Sequence, residues 1–182
     1  MIILEGPDGA GKTTLIKHLA KVYKLPVAAR VVDQNTNPLT NLRLWVEQNL
    51  QKDIGEPEIL YDRHRLISEP IYSLAIGGNR DETFWDVDWL RSQIAEFYSL
   101  KPLIIWCMPN FDVVEKNCAG KENEFVRPFI GKIYRGYMAE IARWTALWEM
   151  GQQYQLVYKY DEHDMSQWLD HFDQTYKKWI HR

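Results

Sequence analysis

Apolar residues occur along the chain in short runs that are separated by longer stretches with helical spacing. Five runs have the length of a typical strand and are rich in Ile, Val, Leu and Tyr. Several are apolar on both faces, which is typical of strands buried in a parallel sheet. The predicted strands are Ile2–Glu5, Val27–Val32, Glu58–Tyr61, Leu103–Cys107 and Leu156–Tyr160.

Between these runs, apolar side chains recur at steps of three and four residues, which indicates amphipathic helices. The predicted helices are Thr13–Tyr23, Leu39–Leu50, Trp85–Tyr98, Phe111–Cys118, Pro128–Met150 and Ser166–Ile180. Strands that alternate with helices predict an α/β fold, a doubly wound five-stranded parallel sheet with helices on both faces. No linker divides the chain, so residues 1–182 are expected to form one domain. Ligands bind such sheets at the loops that follow the strands.

Composition limits the classes of partner. The chain has 182 residues, of which 46% are hydrophobic and 26% charged, which is typical of one soluble globular domain. The net charge of −3 does not resemble the basic footprint of a protein that binds a nucleic acid polymer. The sequence has neither an apolar run of membrane-spanning length nor the pattern of a signal peptide. We therefore expect a cytoplasmic protein whose partner is a small molecule.

The sharpest chemical signal is the segment GPDGAGKT at residues 6–13, which matches the pattern G-x-x-x-x-G-K-[ST] in full. A predicted strand precedes it and an amphipathic helix follows it, as a phosphate-binding P-loop requires. The glycines let the backbone curl so that several N–H groups converge on phosphate oxygens, and the helix adds its positive N-terminal end. Lys12 supplies a charge for the β- and γ-phosphates, and Thr13 offers a hydroxyl to Mg²⁺.

The segment predicts that ATP and Mg²⁺ are the cofactors. The residues expected to bind the nucleotide are Gly6, Asp8, Gly9, Ala10, Gly11, Lys12, Thr13 and Thr14.

A second signal, YDRH at residues 61–64, follows the third predicted strand. A neighbouring strand leads into the P-loop, so this turn is expected to lie beside the phosphates. Asp62 is suited to hold Mg²⁺ directly or through water, and Arg63 is suited to grip an acceptor phosphate with its fork of donors. The chain lacks an Asn-Lys-x-Asp motif, which counts against a GTPase.

Together, the P-loop of the form Gly-x-Asp-Gly-x-Gly-Lys-Thr and the Asp-Arg-His turn resemble the thymidylate kinase family of P-loop nucleoside monophosphate kinases. The resemblance implies transfer of the ATP γ-phosphoryl group to a nucleoside or deoxynucleoside monophosphate. It also implies that Asp8 approaches the acceptor sugar and that Arg63 contacts the acceptor phosphate. Family members are commonly dimers, and the helix Trp85–Tyr98 offers a surface for a homodimer, although core packing explains its aromatic residues equally well.

The resemblance also implies a lid near residues 119–135, where a polar, Gly-bearing stretch with basic residues precedes a long helix. Closure of such a lid excludes water and brings positive charge to the transferring group. Family members with a small residue at the position of Ala10 take that charge from the lid. Lys132 lies nearest the lid Arg of the family, whereas Arg127 and Arg135 have no clean match. We take Arg127 as the first candidate and Lys132 as the second. A solvated helix face is nearly as good an interpretation of each.

The chain departs from the family on the acceptor side. Only Arg43 resembles the basic residue that follows the second strand, which makes it a weaker candidate for the acceptor phosphate. In the helix after the turn, Ser68 fits the family pattern, but Tyr72 occupies the place of a base-reading Gln. Glu69 and Tyr72 are candidate base or sugar contacts, with packing an equal alternative for Tyr72. Pro70 is expected to shift the start of this helix.

Two other functions stay open. A deoxynucleoside kinase would phosphorylate a 5′-hydroxyl and needs a carboxylate base after the second strand, where Asp33 stands. A non-catalytic protein would bind ATP without acceptor-dependent release of ADP.

Overall fold

The computed structural model describes residues 1–28, 58–77, 87–120, 124–148 and 154–181. In this part of the chain, strands and helices alternate to give an α/β fold around a parallel sheet. The strands are β1 (Ile2–Glu5), β2 (Leu60–Asp62), β3 (Leu103–Cys107) and β4 (Tyr154–Tyr158). The helices are α1 (Lys12–Tyr23), α2 (Arg65–Ile76), α3 (Val87–Ser99), α4 (Phe111–Asn117), α5 (Ile130–Trp148) and α6 (Met165–Ile180), with a 3-10 turn at Arg127–Phe129 before α5.

The four strands lie in the order β2-β1-β3-β4, and every neighbouring pair is parallel. The strand β1 therefore lies inside the sheet, between the strand that ends at Asp62 and the strand that ends at Cys107. Carboxyl ends of parallel strands meet at one edge, so the P-loop after β1 and the Asp-Arg-His turn after β2 are neighbours. This topology brings together Asp8 and Arg63, which are 55 positions apart in the sequence.

Alternate residues of the strands point to opposite sides of the sheet, and they belong to two different buried clusters. Ile3, Ile104 and Trp106 belong to a buried cluster with α2, α3 and α5, which includes Ile71, Phe97 and Tyr137. Ile2, Leu4, Leu103 and Ile105 belong to a second cluster with α1 and α6, which includes Leu15, Leu19, Trp168 and Phe172. No helix in the described ranges is both long enough and apolar enough to span a membrane.

The described residues form four strands where the sequence predicts five. Only the first two residues of the predicted strand Val27–Val32 are described, and Val27 forms an isolated parallel bridge with Leu60. Two predicted strands have shifted boundaries. Strand β2 is Leu60–Asp62, which begins two residues later and ends one residue later than predicted, and β4 is Tyr154–Tyr158, which begins and ends two residues earlier than predicted. Strand β4 ends early because residue 160 leaves the sheet and packs against the P-loop.

The helices follow the prediction with smaller differences. Helix α2 begins at Arg65, before Pro70, so the expectation that this proline shifts the start of the helix is wrong. Pro70 lies inside the helix, where it removes one backbone hydrogen bond. The 3-10 turn takes up Pro128, and α5 begins at Ile130. The predicted helix Leu39–Leu50 lies outside the described residues, as do Arg43 and Asp33.

Candidate active site

The P-loop leaves the sheet at the end of β1 and turns into α1 through three glycines with positive φ. The φ angles of Gly6, Gly9 and Gly11 are 145°, 78° and 78°. A Cβ on Gly6 would lie 2.3 Å from the carbonyl oxygen of Cys107, and one on Gly11 would lie 3.0 Å from the ring of Tyr160. Glycine is therefore required both for the backbone conformation and for the close approach to β3.

Lys12, the first residue of α1, reaches back across the loop. Its buried ammonium donates hydrogen bonds to the carbonyl oxygens of Gly6 (2.8 Å) and Pro7 (2.6 Å). Burial, with repulsion from Arg63, lowers the pKa of Lys12 to about 8. A polyphosphate would offer this ammonium stronger, charged acceptors than two neutral carbonyl groups.

The N-terminal end of α1 is open to an anion. Gly11 precedes the helix, and among the described residues no side chain caps it and no acid lies in its first turn. The first N–H groups of a helix have no partner within it, and they favour a negative charge. Thr13 and Thr14 are exposed in this turn, whereas Ala10 is buried.

A cluster of three residues joins the P-loop to the turn after β2. It consists of Asp8, Arg63 and Tyr72, and we call it the acceptor-side cluster after the role that the sequence predicts for these residues. The Arg63 guanidinium donates a hydrogen bond of 2.6 Å to Asp8 Oδ1. The same nitrogen donates to the Tyr72 hydroxyl at 2.6 Å, and that hydroxyl donates to Asp8 Oδ2 at 2.8 Å. The guanidinium carbon also lies 4.8 Å from the centroid of the Tyr72 ring. The structure thus brings together three residues that the sequence predicts for the acceptor.

Charge and partial exposure make this cluster suited to binding. Arg63 and Asp8 keep 18% and 23% of their side chains exposed, so a ligand can reach them. Burial opposes the ionisation of Asp8, but the charges of Arg63 and Lys12 outweigh it and lower the pKa of its carboxyl group. Near neutral pH the P-loop therefore presents a carboxylate beside two cations.

Asp62 is the last residue of β2 and pairs in register with Leu4 of β1. Its negative charge acts on Lys12, where it opposes the effect of burial on the pKa, and on Cys107 at the end of β3. The carboxylate therefore lies at the edge of the sheet from which the P-loop starts. The Asp62 carboxylate and the Thr13 hydroxyl are suitable ligands for Mg²⁺, because this ion takes few ligands from the protein. Its other ligands are waters and substrate phosphates.

Glu5 is a site residue that the sequence reasoning missed. It is the charged end of an otherwise apolar strand and is fully buried. Its Oε1 accepts a hydrogen bond from the His64 amide at 2.6 Å, and its Oε2 accepts one from the Tyr137 hydroxyl at 3.0 Å. Burial raises the pKa of Glu5 to about 7, against the opposing effects of these bonds, Arg63 and Lys12. The sequence signal that could have identified Glu5 is its position, since it is the single acid at the end of an apolar, buried strand.

A second set of missed residues supports the back of the P-loop. The Asn117 side chain donates to the Gly9 carbonyl oxygen at 3.0 Å and to the Tyr160 hydroxyl at 2.6 Å. The Cys118 thiol lies 3.0 Å from the Asp8 carbonyl oxygen. These residues come from the end of α4 and from the chain after β4. Nothing in their local sequence points to the P-loop, which lies more than 100 positions away.

The other predicted residues lie outside the acceptor-side cluster. Glu69 forms an ion pair of 3.0 Å with Arg65, one turn earlier in α2. Arg127 and Lys132 are exposed at the start of the α5 region. Arg127 lines a cavity of about 480 Å³, together with residues of α4 that include Asp112 and Glu115. Whether either cation meets the P-loop stays a prediction.

No family model matches the chain, and no curated protein matches it by sequence. Solved structures do match it. The chain is similar to the YorR protein of Bacillus subtilis, solved in complex with phosphorylated GDP, with a TM-score of 0.65 and 17% identity over 100% of this chain and 98% of that chain.

The chain is also similar to deoxyadenosine kinase from M. mycoides. With dATP bound, that enzyme gives a TM-score of 0.64 and 14% identity over 97% of this chain and 98% of that chain. With dCTP bound, it gives 0.57 and 15% over 98% and 100%. The chain shares the fold of these proteins along nearly its whole length.

Proposed function

We propose that the protein is an ATP-dependent phosphotransferase that moves the γ-phosphoryl group of ATP to a nucleoside or deoxynucleoside monophosphate, in the manner of thymidylate kinases. One observation carries the proposal: the contact between Arg63 and Asp8 fixes a cation beside the P-loop, in addition to Lys12. Two cations at one loop suit two phosphate groups, one on the donor and one on the acceptor. The fold shared with a deoxyadenosine kinase supports the same class of reaction.

On the donor side, the backbone N–H groups of the P-loop and Lys12 would hold the β- and γ-phosphates. Lys12 would exchange its bonds to the Gly6 and Pro7 carbonyls for bonds to phosphate oxygens. Thr13 and Asp62 would hold Mg²⁺, which neutralises charge on the transferring group when it is bound. The protein contributes position and charge, because phosphoryl transfer needs little covalent chemistry from the enzyme.

On the acceptor side, Arg63 would bind the acceptor phosphate with the donors that do not face Asp8. Asp8 and Tyr72 would then meet the sugar. An oxygen of the acceptor phosphate attacks the γ-phosphorus, and the bond to the β,γ-bridging oxygen breaks, which yields ADP and a nucleoside diphosphate. Arg127 is our first candidate and Lys132 our second for closing positive charge over this transfer.

A deoxynucleoside kinase is the second candidate, because the structural neighbours include deoxyadenosine kinase of M. mycoides. Its acceptor would be a 5′-hydroxyl and its general base would be Asp33. The variant Asp33→Asn separates the two candidates, since it should abolish a nucleoside kinase and leave a monophosphate kinase largely active.

The experiment that tests the proposal measures release of ADP from Mg-ATP with a panel of nucleosides and monophosphates of all common bases and both sugars. We expect stimulation by one or a few monophosphates. Arg63→Met should lower kcat/KM for that acceptor by about 100-fold or more, because a charged hydrogen bond to the phosphate is lost. Arg91→Met is the control, because Arg91 is 78% exposed on α3 in a long ion pair with Asp88.

The other outcomes are equally informative. Stimulation by nucleosides alone would transfer the acceptor assignment to the second candidate. ATP binding without stimulation by any acceptor would contradict the phosphotransferase and favour a non-catalytic ATP-binding protein.

A further inference from the structure

Glu5 is the last residue of β1, directly before the P-loop, and accepts hydrogen bonds from two different parts of the fold. Its Oε1 accepts from the backbone amide of His64, in the turn after β2, at 2.6 Å. Its Oε2 accepts from the hydroxyl of Tyr137, on α5, at 3.0 Å. Glu5 and Tyr137 are both fully buried, so neither bond competes with solvent. A buried carboxylate is costly, and both of its oxygens are used.

The first bond acts on the backbone that carries Arg63. This residue has a φ of 71°, in the left-handed region that a non-glycine residue adopts only when its surroundings impose it. Its own amide donates to the Leu4 carbonyl oxygen at 3.0 Å, and the next amide donates to Glu5. Two consecutive amides are thus bound to consecutive residues of β1. This pair of bonds holds the turn from which the guanidinium reaches Asp8.

The second bond connects the turn to the helix after the expected lid. Helix α5 follows Arg127, and Tyr137 on α5 packs edge-on against the Tyr72 ring at a centroid distance of 6.4 Å. Tyr72 in turn holds both Arg63 and Asp8. One carboxylate therefore connects β1, the Arg63 turn and α5.

We infer that Glu5 is a positioning residue of the acceptor site, whose carboxylate holds the left-handed Arg63 turn through the His64 amide and ties it to α5 through Tyr137. Glu5 is too deeply buried to touch a substrate, and it acts through Arg63. The inference rests on the proposed function for its kinetic readout only, because the turn itself can be observed without any reaction.

The test compares three variants of the holoprotein. Glu5→Met replaces the carboxylate with an apolar side chain of similar size. It removes the acceptor of the His64 amide and relieves the burial of a charge. We expect it to fold and to bind ATP nearly as the native protein does, but to lose about 30-fold in kcat/KM for the acceptor. Glu5→Gln keeps an amide oxygen for His64 and should restore activity to within about fivefold of native.

Tyr137→Phe removes only the connection to α5, and we expect a loss of about fivefold in acceptor kcat/KM. Its matched control is Tyr134→Phe on the same helix, where the hydroxyl donates to the Pro109 carbonyl oxygen instead. Tyr134→Phe should leave the acceptor kinetics unchanged. If Glu5→Met folds and retains native acceptor kinetics, the inference is overturned.

Nuclear magnetic resonance separates failure of this inference from failure of the proposed function. The His64 amide proton should resonate far downfield in the native protein and in Glu5→Gln. It should move upfield in Glu5→Met, where the Arg63 side-chain signals should also lose the signature of the Asp8 ion pair. If these changes occur but no acceptor supports turnover, the proposed function fails and the inference stands. Unchanged Arg63 signals in Glu5→Met would refute the inference. If Glu5→Met does not fold, unchanged Arg63 signals in Tyr137→Phe would refute it.

Discussion

The two sides of the candidate site are encoded in different ways. On the donor side, Lys12 bonds to carbonyl groups only five and six positions away, and the loop conformation comes from glycines within the same motif. On the acceptor side, the bonds of Asp8 to Arg63 and Tyr72 span 55 and 64 positions, and the bond of Glu5 to Tyr137 spans 132. The donor side is local, whereas the acceptor side exists only when the sheet is assembled.

The backbone shows the same contrast. Both loops need positive φ, but the P-loop supplies glycine, and the turn after β2 supplies Arg63 with a φ of 71°. A non-glycine residue keeps such a conformation only when its surroundings impose it. Few residue types can therefore replace the glycines of the P-loop, whereas the acceptor side depends on distant contacts that can be removed one at a time.

The largest effect should come from the glycine that brings the P-loop against β3. In Gly6→Ala the new Cβ would lie 2.3 Å from the Cys107 carbonyl oxygen, on a buried backbone that cannot move freely. We expect the free energy of unfolding to fall by about 3 kcal/mol or more, as measured by urea unfolding.

Gly77→Ala is the matched control for strain alone. Gly77 also has a positive φ, of 70°, but a Cβ there would meet nothing within 4 Å. It should cost only about 1–2 kcal/mol. Equal losses in the two variants would contradict the view that close approach to β3 fixes the loop.

The pH dependence of stability tests the buried carboxylate on the acceptor side. The pKa of Glu5 rises from 4.5 to about 7 because of burial, so between these values the folded chain binds more protons than the unfolded chain. Stability therefore falls as pH rises through this window, and above pH 7 the full cost of about 3 kcal/mol is present. The groups that act on Glu5 are Arg63 and the His64 amide in the turn, Tyr72 on α2, Tyr137 on α5, Lys12 on α1 and Cys107 on β3.

Glu5→Gln removes this titration and leaves every other group in place. Its free energy of unfolding relative to the native protein should rise between pH 5 and pH 7 and level off above pH 7, as measured by urea unfolding at several pH values. A constant difference over that range would show that the carboxylate does not titrate there.

The same contrast explains how much the sequence could predict. The P-loop, β3 and the alternation of elements follow from patterns within about a dozen residues, and the fold confirms the α/β class and the parallel sheet. The prediction that Arg63 lies beside the P-loop needed the further assumption that the two strands are neighbours in the sheet. The bonds of Asn117, Tyr160 and Glu5 could not be predicted, because each depends on which strand ends meet in space. The end of β4 was misplaced for the same reason, since Tyr160 continues an apolar run but packs against Gly11 instead of the sheet.

A smaller effect is expected from the hydroxyl that bridges the acceptor-side cluster. Tyr72→Phe removes the bond to Asp8 and the acceptor of Arg63 but keeps the ring beneath the guanidinium. We expect the KM for the acceptor to rise about tenfold, while the KM for ATP changes less than twofold. Initial-rate kinetics with each substrate varied in turn would measure both.

Tyr23→Phe serves as the control, because Tyr23 packs on Phe172 and Tyr176 on the other face of the sheet. Neither KM should change in that variant. A rise in the KM for ATP in Tyr72→Phe would mean that the two sides of the site are not separable.

The smallest effect should appear on the donor side, in Asn117→Ala. The Asn117 side chain donates to the Gly9 carbonyl oxygen and the Tyr160 hydroxyl, and so it supports the P-loop. Because Asn117 is exposed and Tyr160 retains its own 3.4 Å bond to the Gly9 carbonyl, the loop should loosen without losing its shape. We expect the KM for ATP to rise about threefold and the KM for the acceptor to stay constant, which is the reverse of Tyr72→Phe. If only the KM for the acceptor changed, Asn117 would act on the acceptor side. The division of the site into a local donor half and a distant acceptor half would then be wrong.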